Sequence, residues 1–591
     1  HWLNDPDANS TAPDGGAVNP ARRGKAPLPE LPPATGRAAD QVAAAQQAWA
    51  HTLQQAGLEK KDGSSNAIAL APRLTTDSRA LLLGGPQMGY AAPQVNHEIG
   101  IHGAGYDVTG MQIAGWPGPP IGVGSNFAWS LTSGGSDNTD MYVEVLNPSD
   151  PTQYLFEGEW QDLDCRSETI GVAGAPDVDQ PICRSVHGPV MGQAPGVAIT
   201  LKNATFGHEI DSMDAWMSLG RAQNLAEFEE SLAEIWYNFN VLYADDRGNI
   251  GSWHIGRIPI RTDGDNPWLP HLGTGDSEWQ GFVDWPDMPH ALNPDQGFLT
   301  SWNNKPAPGW SNSSAGFWLW GPVHRVNTLF NLLEAIEPGT ASVETLETIN
   351  RTAGFTTQQP SANAGTVVVS TLLGDLLTEV DEAADPRLPQ IVDLLAAWDW
   401  LQEDEDGNEL YDSPAVAIFN TWWEHAASDI FGDELGGFAD STVVGNLMYR
   451  LLHDDAALPL MAEYLDGVTA SDALTAALVG TLDQLTIDYG SADPATWLQP
   501  IAEIVWAPTG VGTVPNTIWM NRGTYNQIVH LGPGPHLWGQ NVISPGQSGD
   551  AFSPHFDDQL ELYATWQYKP MRLTRNDLRG HTESTERLRL P

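Results

Sequence analysis

The chain has 591 residues and carries 75 Asp+Glu against 27 Lys+Arg, a formal net charge of −48. A surface this acidic repels nucleic acid and anionic membranes, which argues against both as partners. The hydrophobic fraction is 41% with 24 Trp, ample for a large core, and no apolar run reaches the roughly 18 residues that a membrane span requires.

Only six of the basic residues are Lys, and the acids are spread along the chain rather than gathered in a tail. Such a carboxylate shell becomes tolerable where concentrated salt screens repulsion to within about 3 Å, so adaptation to high salt is expected. The sequence opens at His1 without an initiator Met or a basic-then-apolar leader. The expectation is an exported protein, extracellular or periplasm-like, with a targeting segment removed or a start partway into a longer product. Cys165 and Cys183 are the two cysteines, and they flank a hairpin-like Gly171-Val172-Ala173-Gly174-Ala175-Pro176 centre. A cross-strand disulfide and two buried thiols are both open readings.

In chain order, residues 5–35 are rich in Pro, Gly, Ala and Asn without hydrophobic period and read as extended linker. Residues 36–61 are Ala- and Gln-rich and predict one helix, ended by Asp62-Gly63-Ser64. From Ser65 the texture turns to strands, expected over 66–71, 80–84, 121–122, 127–131, 141–145 and 197–201. Segments 240–243 and 250–254 flank Asp245-Asp246-Arg247-Gly248-Asn249, a hairpin signature. Helical spacing then appears over 323–336, 388–401, 415–426, 441–452 and 470–486, and strands return near 515–558. The division expected is 1–64 as spacer and 65–591 as the main unit, with a helical insertion over about 323–503.

Gly63-Ser64-Ser65-Asn66-Ala67 lies at the junction of spacer and strand. Taken alone it is an ordinary loop. Its surroundings say more: Gly85-Pro86-Gln87-Met88-Gly89-Tyr90 and His102-Gly103-Ala104-Gly105-Tyr106-Asp107-Val108-Thr109-Gly110 follow, then Trp129 and Gly134-Gly135-Ser136-Asp137-Asn138-Thr139-Asp140. Tyr243-Ala244-Asp245 with Gly248-Asn249, Trp302-Asn303-Asn304, Trp320-Gly321 with Arg325, and Pro545-Gly546-Gln547-Ser548-Gly549 complete the series. In this order and spacing the chain over 65–591 resembles the penicillin G acylase family.

That resemblance implies an α+β fold, the four-layer αββα sandwich of N-terminal-nucleophile hydrolases, and an amide hydrolase acting on an N-acyl small molecule. Ser65 matches the nucleophile, freed by autoproteolysis in front of it; Ser64 is the rival cut site, but the family places its nucleophile directly before Asn. A hydroxyl at a new chain terminus has its own base in the freed α-amine, of pKa about 7.7–8.0. Gln87 matches a residue that contacts the substrate amide through its backbone. Ser133 falls where a backbone N–H serves the oxyanion hole, Asn303 matches the amide that completes it, and Arg325 matches an Arg orienting the nucleophile's surroundings.

Calcium is the family's structural metal. Asp137, Thr139 through its carbonyl, Asp140 and the Pro267 carbonyl match ligand positions, while Ser314 stands where a carboxylate is expected. A further ligand belongs to an upstream chain of the same precursor, an expected partner whose tail the first residues here could be. The acyl pocket departs most: Met88, Ile121 and Gly135 replace Phe, with Trp216 retained, which implies an acyl group that is not strictly phenylacetyl. The start Ser65-Asn66-Ala67-Ile68-Ala69 also resembles relatives that cleave acyl-homoserine lactones. A non-catalytic surface or scaffold relative is the alternative from another class; retention of Ser65, Gln87 and Asn303 together argues against it.

Overall fold

The apolar run opening at Ser65 forms the strand β1 (Ser65–Leu70), buried along its whole length. The computed structural model describes residues 10–12, 30–55, 65–310, 312, 323–356, 365–436, 443–453, 460, 462–533 and 537–588. Among these, the strands form three large sheets of six, seven and eight strands, with two small two-stranded pairs.

In the six-stranded sheet, β1 pairs antiparallel with β2 (Ala80–Pro86), Ala67 opposite Gly84, and on its other edge with the Phe298–Ser301 strand, Ala67 opposite Ser301. The Tyr525–Leu531 and Trp538–Ile543 strands continue the sheet beyond β2. Side chains alternate between faces along a strand, and this sets two interfaces. Ile68, Leu70, Leu81 and Leu83 pack on Leu329, Phe330, Leu346 and Ile349 of the helices Val326–Glu334 and Val343–Thr356. Ala67, Ala69 and Leu82 pack on Ala128, Leu242, Ala244 and Ile250 of the seven-stranded sheet. Small residues let the two sheets approach closely; a Cβ on Gly84 would overlap the Ser130 side chain.

The seven-stranded sheet includes the Phe127–Ser133, Phe239–Asp245 and Ile250–Ile255 strands, neighbours in space. Its other face carries the helices Glu209–Leu219 and Leu225–Ala233. There Trp216, Leu219, Phe228 and Leu232 form one cluster with Phe127, Trp129 and Tyr243, and each such buried side chain contributes about 1.5–3 kcal/mol. The eight-stranded sheet contains the Thr139–Asn147 and Val197–Asn203 strands and, at its end, the exposed hairpin Asp164–Ile170/Val178–Ser185. Cys165 and Cys183 lie directly opposite each other and are disulfide-bonded, which closes the choice that composition left open.

The helix α1 (Thr35–Gln55) lies on this third sheet, with Ala38 and Val42 packed against Val143, Val197 and Ile199. Contact is close enough that a Cβ on Gly192 would come 2.5 Å from the Ala38 carbonyl oxygen. The remaining helices, among them Pro414–Leu435 and Ala470–Tyr489, share a core of their own around Trp422, Phe419, Leu478 and Leu482. No described helix is long and apolar enough to cross a membrane.

The expected strands and most expected helices recur with bounds shifted by a few residues, and the hairpin around Asp245 closes with Ala244 opposite Ile250. The helix expected over 415–426 runs on to Leu435, and the end of the one expected over 36–61 lies outside the described residues. Several elements were not anticipated. The Asn96–Gly103/Tyr106–Ile113 hairpin turns through Gly103, Ala104 and Gly105 at φ values of 133°, 54° and 87°, and its glycine-rich motif carries too little apolar alternation to announce strands. Helix Val343–Thr356 was passed over although Val343, Leu346, Ile349 and Ala353 stand at helical spacing, and Gly365–Thr378 offers no polar face to set a period.

Candidate active site

Ser65 stands at the first position of β1, paired with Pro86, so Gln87 is the first residue past the end of that pairing. Ser65 is only 7% exposed. Its backbone N–H donates to Asn303 Oδ1 at 2.9 Å, and Arg325 Nη2 donates to the same oxygen at 2.8 Å. A guanidinium has no acceptor, so the atom facing it must be the amide oxygen; the orientation of Asn303 is thereby fixed. Its Nδ2 then points the other way and donates to the Ser133 carbonyl at 3.2 Å. Asn303 holds φ 61°, a left-handed conformation that Asn tolerates better than most residues. Arg325 is seated by the Trp302 carbonyl at 3.4 Å and by the Trp302 ring at 5.2 Å. Ser65, Ser133, Asn303 and Arg325 are therefore brought together from four segments.

Gln87 is buried, and its side chain donates to Asn521 Oδ1. Next to it, the Met88 N–H donates to Thr524 Oγ1 at 3.0 Å. This late segment was not singled out in the sequence, yet it wraps the neighbours of Ser65. Asn66 Nδ2 reaches Asn350 Oδ1 at 3.4 Å, Asn350 Nδ2 reaches Asn526 Oδ1 at 2.9 Å, and Arg522 Nε reaches the same Asn526 oxygen at 3.1 Å. Arg522 is fully buried and further donates to the Gln567 carbonyl at 3.1 Å.

A second network holds the loop after Ser133. Asn238 Oδ1 accepts from the Ser136 N–H at 2.8 Å, and its carbonyl accepts from the Gly134 N–H at 3.3 Å. His254 Nδ1 faces Asn240 Oδ1 at 2.6 Å, and its Nε2 faces Asn238 Nδ2 at 3.0 Å and Ser136 Oγ at 2.8 Å. Because Asn238 Nδ2 can only donate, Nε2 must accept and the imidazole is the neutral Nδ1–H tautomer. Burial accordingly pushes the His254 pKa down to about 3. The Asn238-Phe239-Asn240 spacing at the start of the Phe239–Asp245 strand is the sequence signal that could have pointed to this network.

Residues 10–12 also reach the site. Thr11 N–H donates to the Lys305 carbonyl at 2.9 Å and Ala12 N–H to the Pro306 carbonyl at 2.8 Å, with Thr11 Oγ1 on Asn304 Oδ1 at 3.3 Å. These three residues are buried, one position beyond Asn303.

Of the expected pocket residues, Ile121 and Trp216 sit in one cluster and are both buried, Met88 is 41% exposed, and Gly135 turns at φ 68°. Trp216 lies 5.7 Å from Phe239 and 6.1 Å from Trp116, ring to ring. Phe239 pairs with Ser133, so the aromatic neighbours of Trp216 come from positions the sequence reading did not name.

The expected calcium ligands Asp137 and Asp140 do lie together, but Arg261 stands between them. Its Nε is 3.1 Å and 2.8 Å from the two oxygens of Asp140, and its Nη2 is 3.1 Å from Asp137 Oδ2. Trp279 Nε1 donates to Asp140 Oδ2 at 2.6 Å. Burial raises the Asp137 carboxyl to about 7; for Asp140 burial is outweighed by His271, Arg261 and Trp279, and its pKa is lowered. Calcium takes six to eight oxygen ligands at about 2.3–2.6 Å. Donors on both Asp140 oxygens and a guanidinium nitrogen 3.1 Å from Asp137 Oδ2, which itself accepts no hydrogen bond, do not fit that ion. Thr139 opens the Thr139–Asn147 strand, Pro267 lies in the turn closed by Leu269 N–H on the Asn266 carbonyl at 3.1 Å, and Ser314 falls outside the described residues.

The fold is of the class found in penicillin G acylases: the thermostable penicillin G acylase of Alcaligenes faecalis superposes with a TM-score of 0.78 at 28% identity, covering 89% of this chain and all of that one. The chain belongs to the penicillin amidase family, whose model matches residues 23–580. It is 28% identical over 577 residues to the penicillin G acylase of Escherichia coli, covering 90% of this chain and 66% of that protein. An acyl-homoserine lactone acylase of Pseudomonas fluorescens is 25% identical over 550 residues, covering 85% of this chain and 65% of that protein. The chain thus spans just under two thirds of the length of these relatives.

Proposed function

We propose that this chain is the catalytic part of an acylase that cleaves the linear amide of an N-acyl small molecule through an acyl-enzyme on Ser65. The observation that carries it is the junction at Asn303 Oδ1 of the Ser65 nitrogen and the Arg325 guanidinium at the head of β1. We read the succession of helices, sheet, sheet and helices around β1 as the αββα sandwich of N-terminal-nucleophile hydrolases.

Maturation requires that the peptide bond before Ser65 break. Ser65 Oγ attacks the Ser64 carbonyl, the acyl group moves from nitrogen to oxygen, and water cleaves the resulting ester to leave a free α-amine. That amine keeps an N–H for Asn303 Oδ1 while its lone pair serves as base. In turnover it takes the Ser65 hydroxyl proton as Oγ adds to the substrate carbonyl. The Ser133 N–H and Asn303 Nδ2 donate to the oxyanion, the latter leaving the Ser133 carbonyl; donors of this kind are worth about 2.7–4 kcal/mol. The proton passes to the leaving amine, and water then releases the acid by the reverse route. Arg325 positions Asn303, and the Gln87 backbone orients the substrate amide.

Residues 10–12 behave as part of an upstream partner chain rather than as spacer, because they cover the Asn304–Pro306 backbone beside Asn303. A surface disulfide suits export to an oxidising compartment. Relatives named acyl-homoserine lactone acylases, with Met88, Ile121 and Gly135 at the pocket, favour an aliphatic acyl group as a second reading. Initial rates on phenylacetyl and decanoyl amides decide between them. The acylase reading itself is tested by Ser65→Ala, expected to abolish both cleavage before residue 65 and amide hydrolysis. A wild-type chain isolated uncut and inactive from its host would support the scaffold alternative instead.

A further inference from the structure

Asp137 and Asp140 are almost wholly enclosed, their side chains 9% and 1% exposed, and the Arg261 side chain between them is 6% exposed. Two carboxylates so deeply buried need a cation or protons. Arg261 supplies the cation: Nε alone spans both Asp140 oxygens, while Nη2 stands 3.1 Å from Asp137 Oδ2 as an ion pair without a hydrogen bond and donates to the Asp137 carbonyl at 3.3 Å. The rest of the surroundings is built to donate as well. Trp279 N–H closes on Asp140 Oδ2, His271 Nε2 stands 3.6 Å from Asp140 Oδ1, and Asn312 Nδ2 donates to the Asp137 carbonyl at 3.3 Å. Trp279 is in turn held under the Lys202 ammonium at 4.8 Å.

We propose that Arg261 is the permanent cation of the Asp137–Asp140 pair, so that this chain fixes the segment after Ser133 with an internal guanidinium and takes no calcium there. The inference is independent of the acylase reading. A divalent ion between these carboxylates would meet a guanidinium about 3 Å from each, and like charges at that separation in a buried site repel strongly. At Asp140 it would also find N–H groups where it needs oxygen lone pairs. Arg suits the place better than Lys, because its rigidly spaced nitrogens reach Asp140 through Nε and Asp137 through Nη2 at once.

The test uses the full chain and two readouts besides activity: bound metal by elemental analysis after gel filtration, and thermal unfolding with excess chelator or added calcium. The proposal expects less than one calcium per chain at this pair and a Tm unmoved by chelator. Arg261→Met should lower Tm by about 5 °C or more, part of it recovered with millimolar calcium, and Arg261→Lys should lie between. One calcium per chain that is lost in Asp137→Asn, with a Tm that falls on chelation, would overturn it. So would an Arg261→Met protein with unchanged Tm. If that variant does not fold, the wild-type metal content and chelator response still decide, and a calcium that survives Asp137→Asn lies elsewhere and leaves the proposal standing.

Discussion

The side-chain oxygen of Asn303 lies 2.9 Å from the backbone nitrogen of Ser65, although 238 positions separate the two residues in sequence. One amide thus ties the head of a central strand to the loop after the Phe298–Ser301 strand, and Arg325 prevents it from turning over. The same amide supplies an acceptor for the Ser65 nitrogen and a donor to the Ser133 carbonyl on its other side.

Asn303→Ala removes both. The expected result is a fall in kcat of about 10²–10³ with a much smaller change in KM, because the lost donor acts on charge that develops only in the transition state. Steady-state rates on a chromogenic amide measure it. A variant with unaltered kcat would remove Asn303 from the proposed oxyanion hole. Cleavage before Ser65 should slow as well, since that step forms a tetrahedral oxyanion of its own.

Ser65, Asn303 and Arg325 were legible in the sequence because the motifs around them keep family order, and the structure brings the three together at Asn303 Oδ1. What was not legible is long-range pairing. Asn66, Asn350, Asn526 and Arg522 are separated by hundreds of positions, each an unremarked polar residue in its own segment, and only the sheet and the Val343–Thr356 helix bring them together. Arg261 was missed for a related reason. A ligand set carried over by position tests which oxygens are present, whereas the guanidinium that fills the space between them lies 121 residues from Asp140.

The asparagine chain behind Ser65 should be costly to interrupt. In Asn350→Leu, Asn66 Nδ2 loses its partner inside the core while Asn526 Oδ1 keeps Arg522, and a buried polar group left unpaired costs about 1–3 kcal/mol. Thermal or urea unfolding should show a loss of that size. Cleavage before Ser65 should slow too, because Asn66 is the nucleophile's neighbour. A stability loss below about 0.5 kcal/mol would mean that the network is not a support.

The segment 10–12 should stay bound after cleavage. Its two backbone hydrogen bonds to Lys305 and Pro306 and its burial survive the cut, which falls more than fifty residues later in the chain. Gel filtration of the cleaved protein, followed by denaturing mass analysis of the peak, should recover a peptide containing Thr11. Thr11→Val, which removes the Asn304 contact at 3.3 Å, should lower kcat by about 2–10-fold through the adjoining Asn303. Loss of the peptide with full activity retained would argue that residues 10–12 are spacer.

Two buried histidines should tilt stability in opposite directions with pH. His254 is held neutral, with its pKa pushed by burial to about 3, whereas the unfolded chain binds a proton near 6.5. Between those values the unfolded state gains the proton, so stability falls as pH drops from 6.5, by up to about 1.4 kcal/mol per pH unit. His187 is the converse. Burial opposes its charge, but its ring nitrogens lie 2.8 Å from Glu144 and 2.6 Å from Glu278, and these bonds raise its pKa. Its contribution is complete below about 6.5 and is lost as pH rises through the raised folded value. Tm measured across pH should therefore converge with wild type at acid pH for His254→Gln and at alkaline pH for His187→Gln. If His254→Gln keeps the full acid slope of the wild type, the neutral imidazole between Asn240 and Ser136 is not its source.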